Sequence, residues 1–390
     1  MKLKVGIFFF HIFLCACTMQ EKLMNHNRSY TYMSGSEKIT HRVLTDGKNL
    51  KVLIKTVPND ILTHYTVLLE VKENYKSHEV LYRDSIAKPI LQHNVKEINI
   101  PGEYRNKILV LRLIHNTGKY SYLYDIPLRR NAQSAFHMFR NHEPMPENYA
   151  RANDTLAIKG TAEKDSVFYL FHYSNKFKSA EPPIWANRSI KKNLSIDTML
   201  TVKADTPFLL PQPGMYFIQK DTNSLEGRSI YVSPNRYPAV TKPDELLAPL
   251  AYIMSPMEFE ELSHYEDTKK AVELFWLTTG GSKEHTKMLI KKFYHQVENA
   301  NILFTTHKEG WKTDKGMIYI LFGVPEEVFR YGQYEEWFYY DDFNSTGISF
   351  TFVKKESIFS SNHYELIRKG SYRTYWQKTL EKWRNGILVR

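Results

Sequence analysis

Residues 308–328 read KEGWKTDKGMIYILFGVPEEV, and the folding of this stretch decides the architecture of the C-terminal part of the chain. Gly310 can take backbone angles closed to other residues. Trp311 supplies a large apolar anchor whose indole N–H seeks a partner. Thr313 and Asp314 carry short oxygen side chains that bond nearby backbone N–H groups and hold a turn, which Gly316 finishes after Lys315. Met317 to Phe322 is a continuous apolar run and reads as a buried strand. Gly323 ends it. Pro325 then opens a helix or turn, with Glu326 and Glu327 where a helix dipole favours negative charge. The predicted order is turn, strand, turn, short helix.

Downstream, EEWFYYDD alternates as a strand, with Trp337 and Tyr339 on one face and Phe338 and Tyr340 on the other. NSTG turns the chain, and ISFTFV points Ile348, Phe350 and Phe352 inward. Upstream the pattern is helical. Asp244 is the expected cap of ELLAPLAYI, which Pro249 breaks or kinks. Ser255-Pro256-Met257-Glu258 has Ser at the N-cap, Pro at the first helical position and Glu at the third, and Leu262 closes that segment's apolar face. Ala271, Leu274 and Phe275 share a helical face that Gly280-Gly281 stops. Met288, Leu289, Phe293, Val297 and Ala300 form a second stripe. At the C-terminus Tyr372, Trp376, Leu380, Trp383 and Ile387 recur at intervals of three or four, which predicts a docking helix with a basic outer face. A basic helix bearing tryptophan can also lie on an anionic membrane surface. Residues 238–390 are thus expected to be an α+β domain, with helices on a small antiparallel sheet.

The rest of the chain reads as β structure. NLKVLIKTV alternates Leu50, Val52 and Ile54 against Lys51 and Lys55. HYTVLLEVK, KILVLRLIH and YSYLYDIPL follow, separated by turn signals at Asp46-Gly47, Pro58-Asn59-Asp60, Pro101-Gly102 and Asn116-Thr117-Gly118. Short strands at this spacing predict an antiparallel β-sandwich over 31–130. Residues 131–146 read as a polar linker, with His137 and His142 as a surface pair in its loop. DTLAIKGTA, DSVFYLFHYS, DTMLTVKAD, GMYFIQKD and RSIYVSP predict a second sandwich over 147–234. The fold class is therefore multidomain: two antiparallel β-sandwiches followed by the α+β domain. Aromatic residues make up 14% of the chain, a richness that favours β structure.

The first residues, MKLKVGIFFFHIFLCACTMQ, read as a targeting segment. Lys2 and Lys4 form a positive n-region, and Val5 to Leu14 is an apolar run shorter than the roughly 20 residues that span a bilayer. Leu14-Cys15-Ala16-Cys17 resembles the lipobox of bacterial lipoproteins. That resemblance implies a signal peptide over 1–16, cleavage before Cys17 and acylation of Cys17, followed by a polar tether over 17–30. Both cysteines of the chain lie in this segment, so after processing no disulfide, thiol nucleophile or cysteine metal site is expected. No cofactor is implied. The net charge falls from +11 to +9 once Lys2 and Lys4 are removed, a surplus suited to lipid head groups or acidic polysaccharide. Nucleic acid is not an expected partner, since no binding motif for it is present.

EGWKTDKGMIYILFGVPEEV, with the preceding FYHQVENANILFTTHKEGW, resembles the GWxTD domain, found mainly in proteins of Bacteroidetes. Gly310, Trp311, Thr313, Asp314, Gly316, Gly323 and Pro325 match the motif, whereas Val324 and Gln296 depart from the family's common Pro and Arg. The resemblance covers roughly 240–390 and implies an exported lipoprotein from that phylum, but no reaction. FGVPEEV, EEWFYYDD and ISFTFV are also similar to the small lipoprotein domains that accompany the outer-membrane β-barrel assembly machine. With that source, Ser85, Thr155, Ser166 and Thr198 each follow an Asp and precede an apolar residue, resembling the phylum's O-glycosylation sequon. The short, weakly acidic run after Cys17 favours a periplasm-facing position in the outer membrane.

The expected role is a non-enzymatic scaffold or accessory subunit of an outer-membrane complex, one that contacts a β-barrel protein. In that reading GWKTD is a folding signature. Two alternatives have a chemical basis. Asp314 could act as base or nucleophile assisted by His307 or Glu309, although no Gly-x-Ser-x-Gly, His-Glu-x-x-His or phosphate loop accompanies it. Exposed aromatics of the sandwiches, Tyr173 and Trp185, could instead bind glycan or peptidoglycan.

Overall fold

The computed structural model describes residues 27–32, 38–57, 61–86, 95–118, 121–129, 136–159, 166–174, 177–183, 194–234, 236–340 and 347–387. The predicted signal segment, Cys17 and Trp185 lie outside the described residues.

The first module contains β1 (Lys38–Asp46), β2 (Asn49–Val57), β3 (Tyr65–Lys72), β4 (Tyr82–Ile86), β5 (Val95–Ile100), β6 (Ile108–His115) and β7 (Ser121–Pro127). Two antiparallel sheets, ordered β1-β2-β5 and β4-β3-β6-β7, face each other. Leu50, Val52 and Ile54 meet Val67, Leu69, Leu109 and Leu111 in the shared core, as their alternation predicts. Gly47, at φ 58°, turns the β1–β2 hairpin between Asp46 and Asn49. The outer face of the smaller sheet is also covered. Leu44, Leu53 and Val95 form a second small core there. On the same face the Arg42 guanidinium donates to the Pro146 carbonyl and to Asn148, and Lys55 pairs with Glu147 at 2.7 Å. The second module is thereby fastened to the first.

That second module contains β8 (His137–Arg140), β9 (Glu143–Pro144), β10 (Tyr149–Arg151), β11 (Leu156–Lys159), β12 (Val167–Tyr173), β13 (Thr198–Lys203), β14 (Gly214–Gln219) and β15 (Arg228–Ser233). A five-stranded sheet, β10-β15-β14-β12-β13, packs on a three-stranded one, β11-β8-β9. Only the β10–β15 pair in the larger sheet is parallel. The expected linker over 131–146 is corrected here: its described part is mostly the β8–β9 hairpin. Asn141 and His142 take φ 50° and 70°, the left-handed angles of a two-residue turn that matches strand twist. Without an Asn-Gly pair the turn is hard to see in the sequence. His137 accordingly sits on a strand, not in a loop.

The third module contains six described helices: α1 (Pro243–Leu250), α2 (Pro256–Ser263), α3 (Thr268–Gly280), α4 (Lys283–Phe304), α5 (Asp314–Phe322) and α6 (Tyr372–Arg384). They pack against an antiparallel sheet ordered β16-β17-β18-β19, from β16 (Glu327–Tyr331), β17 (Tyr334–Tyr339), β18 (Ile348–Lys354) and β19 (Tyr364–Leu366). Ser255 and Glu258 make the expected capping box on α2, with Glu258 N donating to Ser255 Oγ and Ser255 N to the Glu258 carboxylate. Lys242, not Asp244, occupies the cap position of α1, and Glu245 accepts from the N–H groups of Thr241 and Lys242.

The run Met317–Phe322 forms the second half of α5 and is not a strand. Every residue of α5 is buried. A helix surrounded on all sides needs no polar face, so its sequence cannot be told from a central strand by periodicity. Pro325 leads into β16 instead of starting a helix. In α6, Tyr372, Trp376 and Trp383 are buried, and the Trp383 indole donates to the Leu321 carbonyl at 3.1 Å. This is the docking role. Its tryptophans are not available to a membrane surface. No described helix is long and apolar enough to cross a membrane.

Candidate functional site

The GWKTD loop sits at the N-terminus of α5, against α4 and β19. Thr313 caps α5: Gly316 N donates to its Oγ1 at 3.0 Å, and the same hydroxyl donates to the Gly310 carbonyl at 2.7 Å. Asp314 lies in the first turn, where its charge suits the helix dipole. Its carboxylate accepts from Leu366 N and from Arg368 Nη2, both at 2.8 Å. The motif thus ties α5 to the β19 strand and the segment after it. Gly310 and Gly316 are required by close approach. A Cβ on Gly310 would lie 2.0 Å from the Ala300 carbonyl oxygen, and one on Gly316 would lie 2.0 Å from the Gly310 carbonyl oxygen. Gly323, at φ 80°, ends α5 in a conformation that favours glycine. Its carbonyl accepts from Tyr339 OH at 3.1 Å. Pro325 is buried just beyond it.

The floor of the loop is supplied by α4. Asn301, fully buried, accepts from Trp311 N at 3.1 Å and donates to the Pro238 carbonyl at 2.9 Å. Thr305 Oγ1 accepts from Gly310 N at 3.1 Å. Tyr252 OH donates to the Trp311 carbonyl at 3.0 Å. Neither Asn301 nor Thr305 is singled out by residue type alone; their signal is the polar residue on an otherwise apolar helix stripe. The second module reaches the same loop, with Ala180 N bonding the Lys312 carbonyl and Arg368 Nη2 the Glu181 carbonyl, both at 2.9 Å.

Lys315 opens a second polar cluster that the sequence did not reveal. It is 4% exposed, and its Nζ lies 2.9 Å from Glu335 Oε1 and 3.5 Å from the centre of the Tyr364 ring. Burial pulls its pKa down to about 8, against the opposing charge of Glu335. Glu335 also accepts from Tyr32 OH at 2.6 Å, from the Trp337 indole at 2.6 Å and from Arg330 Nε at 2.7 Å. Next to it, Asp125 at the end of the first module pairs with Arg28. Asn27 Oδ1 accepts from Val328 N at 3.0 Å, and Arg28 N donates to the Val328 carbonyl at 2.9 Å. Residues 27–32 are therefore pinned between the first and third modules.

His307 packs against Phe177, His363 and Phe359. Glu309 pairs with Lys312 at 2.7 Å. No hydrogen bond joins either residue to Asp314. Tyr173 is 8% exposed and packs on Met215, Phe217 and Phe359, so it is not a surface aromatic. Ser85, Thr155 and Thr198 are exposed, whereas Ser166 is buried. Among the described residues no cluster of three or more His, Cys, Asp or Glu is placed to hold a metal ion.

Two half-buried histidines are expected to make the fold acid-sensitive. Burial, with help from Arg330 and Arg42, pulls His41 down to about 4. Burial, with Lys308 and His363, pulls His307 down to about 3. Each folded value lies below the ordinary 6.5, so between those values the unfolded chain binds more protons. Their contribution is full above about pH 6.5 and is lost as pH falls toward 4 and then 3. One pKa unit corresponds to about 1.4 kcal/mol, so each ring is expected to lower stability as pH falls from 7 to 4, the two effects adding. Urea unfolding across that range measures it; a flat profile would refute the neutral folded state of both rings.

Comparison with known families bears on the same residues. Residues 214–385 match the GWxTD domain. The match begins at Gly214, earlier than the motif's immediate surroundings, and takes in β14 and β15 of the second module. Met215 and Phe217 on β14 form one apolar cluster with Phe359 of the third module. No curated protein matches the chain.

Proposed function

We propose that this protein is an outer-membrane lipoprotein of Bacteroidetes type, acylated at Cys17 and facing the periplasm, which acts as a non-enzymatic scaffold or accessory subunit of an envelope complex. The observation that carries this reading is the pinning of residues 27–32. Asn27, Arg28 and Tyr32 bond to Val328, Asp125 and Glu335 on two different modules. A lipid ten residues upstream of Asn27 is then attached to a fixed point on a rigid body, which suits a part that holds others in register at a membrane. The motif supports the same reading. The Thr313 hydroxyl and the Asp314 carboxylate are engaged in bonds that hold α5 in place, as a folding signature requires.

The test is affinity purification of the tagged full chain from native membranes in mild detergent, with mass spectrometry of co-purifying proteins. A stoichiometric outer-membrane β-barrel partner is the expected result. Recovery of the chain alone, even after cross-linking, overturns the accessory-subunit reading. Radiolabelled palmitate incorporation that survives Cys17→Ser overturns the anchor.

A further inference from the structure

β13 is an edge strand unlike the others. Every residue from Thr198 to Met199, Leu200 and Thr201 is exposed, as is Lys203. Met199 is 56% exposed and Leu200 40% exposed; Ile196, just before the strand, is 52% exposed. Edge strands are ordinarily blunted by charge, proline or a covering segment. β4, the edge of the first module, follows that rule with Arg83, Asp84 and Ser85. β13 carries one charged residue, Lys203, at its end. Among the described residues no strand pairs with its outer side.

The register shows which groups face outward. Leu170 is opposite Leu200 and Phe168 opposite Val202, and Ala204 N bonds the Ser166 carbonyl at 2.8 Å. Hydrogen-bonded pairs alternate along an antiparallel ladder. The backbone groups of Leu200 and Val202 therefore face β12, and those of Met199 and Thr201 face off the edge.

We propose that β13 pairs with β13 of a second copy of this chain, antiparallel about a two-fold axis at Leu200, joining the two five-stranded sheets. In this register the strand is complementary to itself in backbone hydrogen bonding and in charge. Met199 of each copy stands opposite Thr201 of the other, so the outward N–H and C=O groups of both meet in hydrogen-bonded pairs. Leu200 stands opposite Leu200 and Thr198 opposite Val202, which covers the exposed apolar side chains. Lys203 of each copy reaches the end of the strand where Asp197 of the other lies, its carboxylate held by Ser174 Oγ at 2.8 Å. A shift by one residue would set the outward-facing groups of Met199 and Thr201 opposite residues whose groups face inward, and a shift by two would separate Lys203 from Asp197. This inference is independent of the envelope role proposed above.

Sedimentation equilibrium of the full chain over a concentration series, with density-matched mild detergent, is the first test. The expected result is a mass of two chains that falls to one for Leu200→Lys, which sets two ammonium groups face to face. Thr201→Pro removes an outward N–H and is expected to do the same. Both variants should keep the thermal unfolding midpoint of the parent chain's monomer. The second test fixes the register. Under mild oxidation, Leu200→Cys should cross-link to itself, because non-hydrogen-bonded pairs bring Cα atoms within disulfide reach. Val202→Cys should cross-link no more than the unsubstituted chain. A single-chain mass at all concentrations, a dimer that persists in Leu200→Lys, or equal cross-linking at both positions overturns the proposal.

Discussion

Gly316→Ala is expected to leave the third module unfolded or destabilised by about 4 kcal/mol or more, a size reserved for changes the structure cannot absorb. The added Cβ would lie 2.0 Å from the Gly310 carbonyl oxygen and 3.1 Å from Thr313 Oγ1. The first of these is backbone, which cannot rotate away as a side chain can. Relief requires moving either the loop off α4 or α5 off the loop. The loop is held by Asn301 and Thr305, and α5 is buried along its whole length. Overpacking in a well-filled core costs about 1–3 kcal/mol when side chains can shift, and here the neighbours are less able to. Gly370→Ala is the matched control in the same module, since a Cβ there meets nothing within 4 Å. Urea unfolding and limited proteolysis of the two variants are compared. A Gly316→Ala protein with the unfolding midpoint of its parent would refute the account of why glycine stands at this place.

The motif's function as a folding device could be read from its residue types, but its geometry could not. Thr313 and Asp314 do hold a turn under Trp311, as short oxygen side chains before a glycine suggest. The element they start is a helix because Thr313 caps it. A Thr-x-x-Gly cap followed by uninterrupted apolar residues gives no periodic signal to separate helix from strand. The strands with one covered face were legible for the opposite reason. On β17, Trp337 and Tyr339 are buried and alternate with partly exposed neighbours, and on β18 Ile348, Phe350 and Phe352 are buried, although Thr351 between the two phenylalanines is buried as well. The helix stripes were legible at their centres and failed at their edges. Leu289, Phe293, Val297 and Ala300 are fully buried, whereas Met288 is 50% exposed and Leu274 43% exposed. A stripe read at intervals of three and four is broader than the face a neighbour covers. The Lys315–Glu335 cluster had no local signal at all. Tyr32 and Glu335 are separated by 303 positions and meet only because residues 27–32 return to the third module.

Glu335→Ala is expected to cost about 3–5 kcal/mol, the range for removing one partner of a buried ion pair. The carboxylate is 1% exposed and answers Tyr32, Trp337, Lys315 and Arg330 together. Without it the Lys315 ammonium remains among Tyr364, Trp337 and Tyr32 with no counter-ion, and the Trp337 indole loses its acceptor. Glu335→Gln keeps an acceptor and the shape but not the charge, and should lose less. Adding Lys315→Met to Glu335→Gln removes the stranded ammonium and should recover part of the loss, which a double-mutant cycle reads as coupling. The pH dependence separates charge from shape. Burial works against the ionised carboxylate, but Lys315 and Arg330 more than offset it and hold Glu335 well below its ordinary 4.5. Its contribution is then complete above about pH 4.5 and fades as pH falls toward the folded value. The gap in stability between the parent chain and Glu335→Gln should therefore narrow below pH 4.5, whereas the histidine effect is common to both proteins and cancels. A gap that stays constant down to pH 3 would show that Glu335 acts through shape and hydrogen bonding alone. A Glu335→Ala loss below about 1 kcal/mol, the range of surface pairs, would show that the cluster does not join residues 27–32 to the third module in solution.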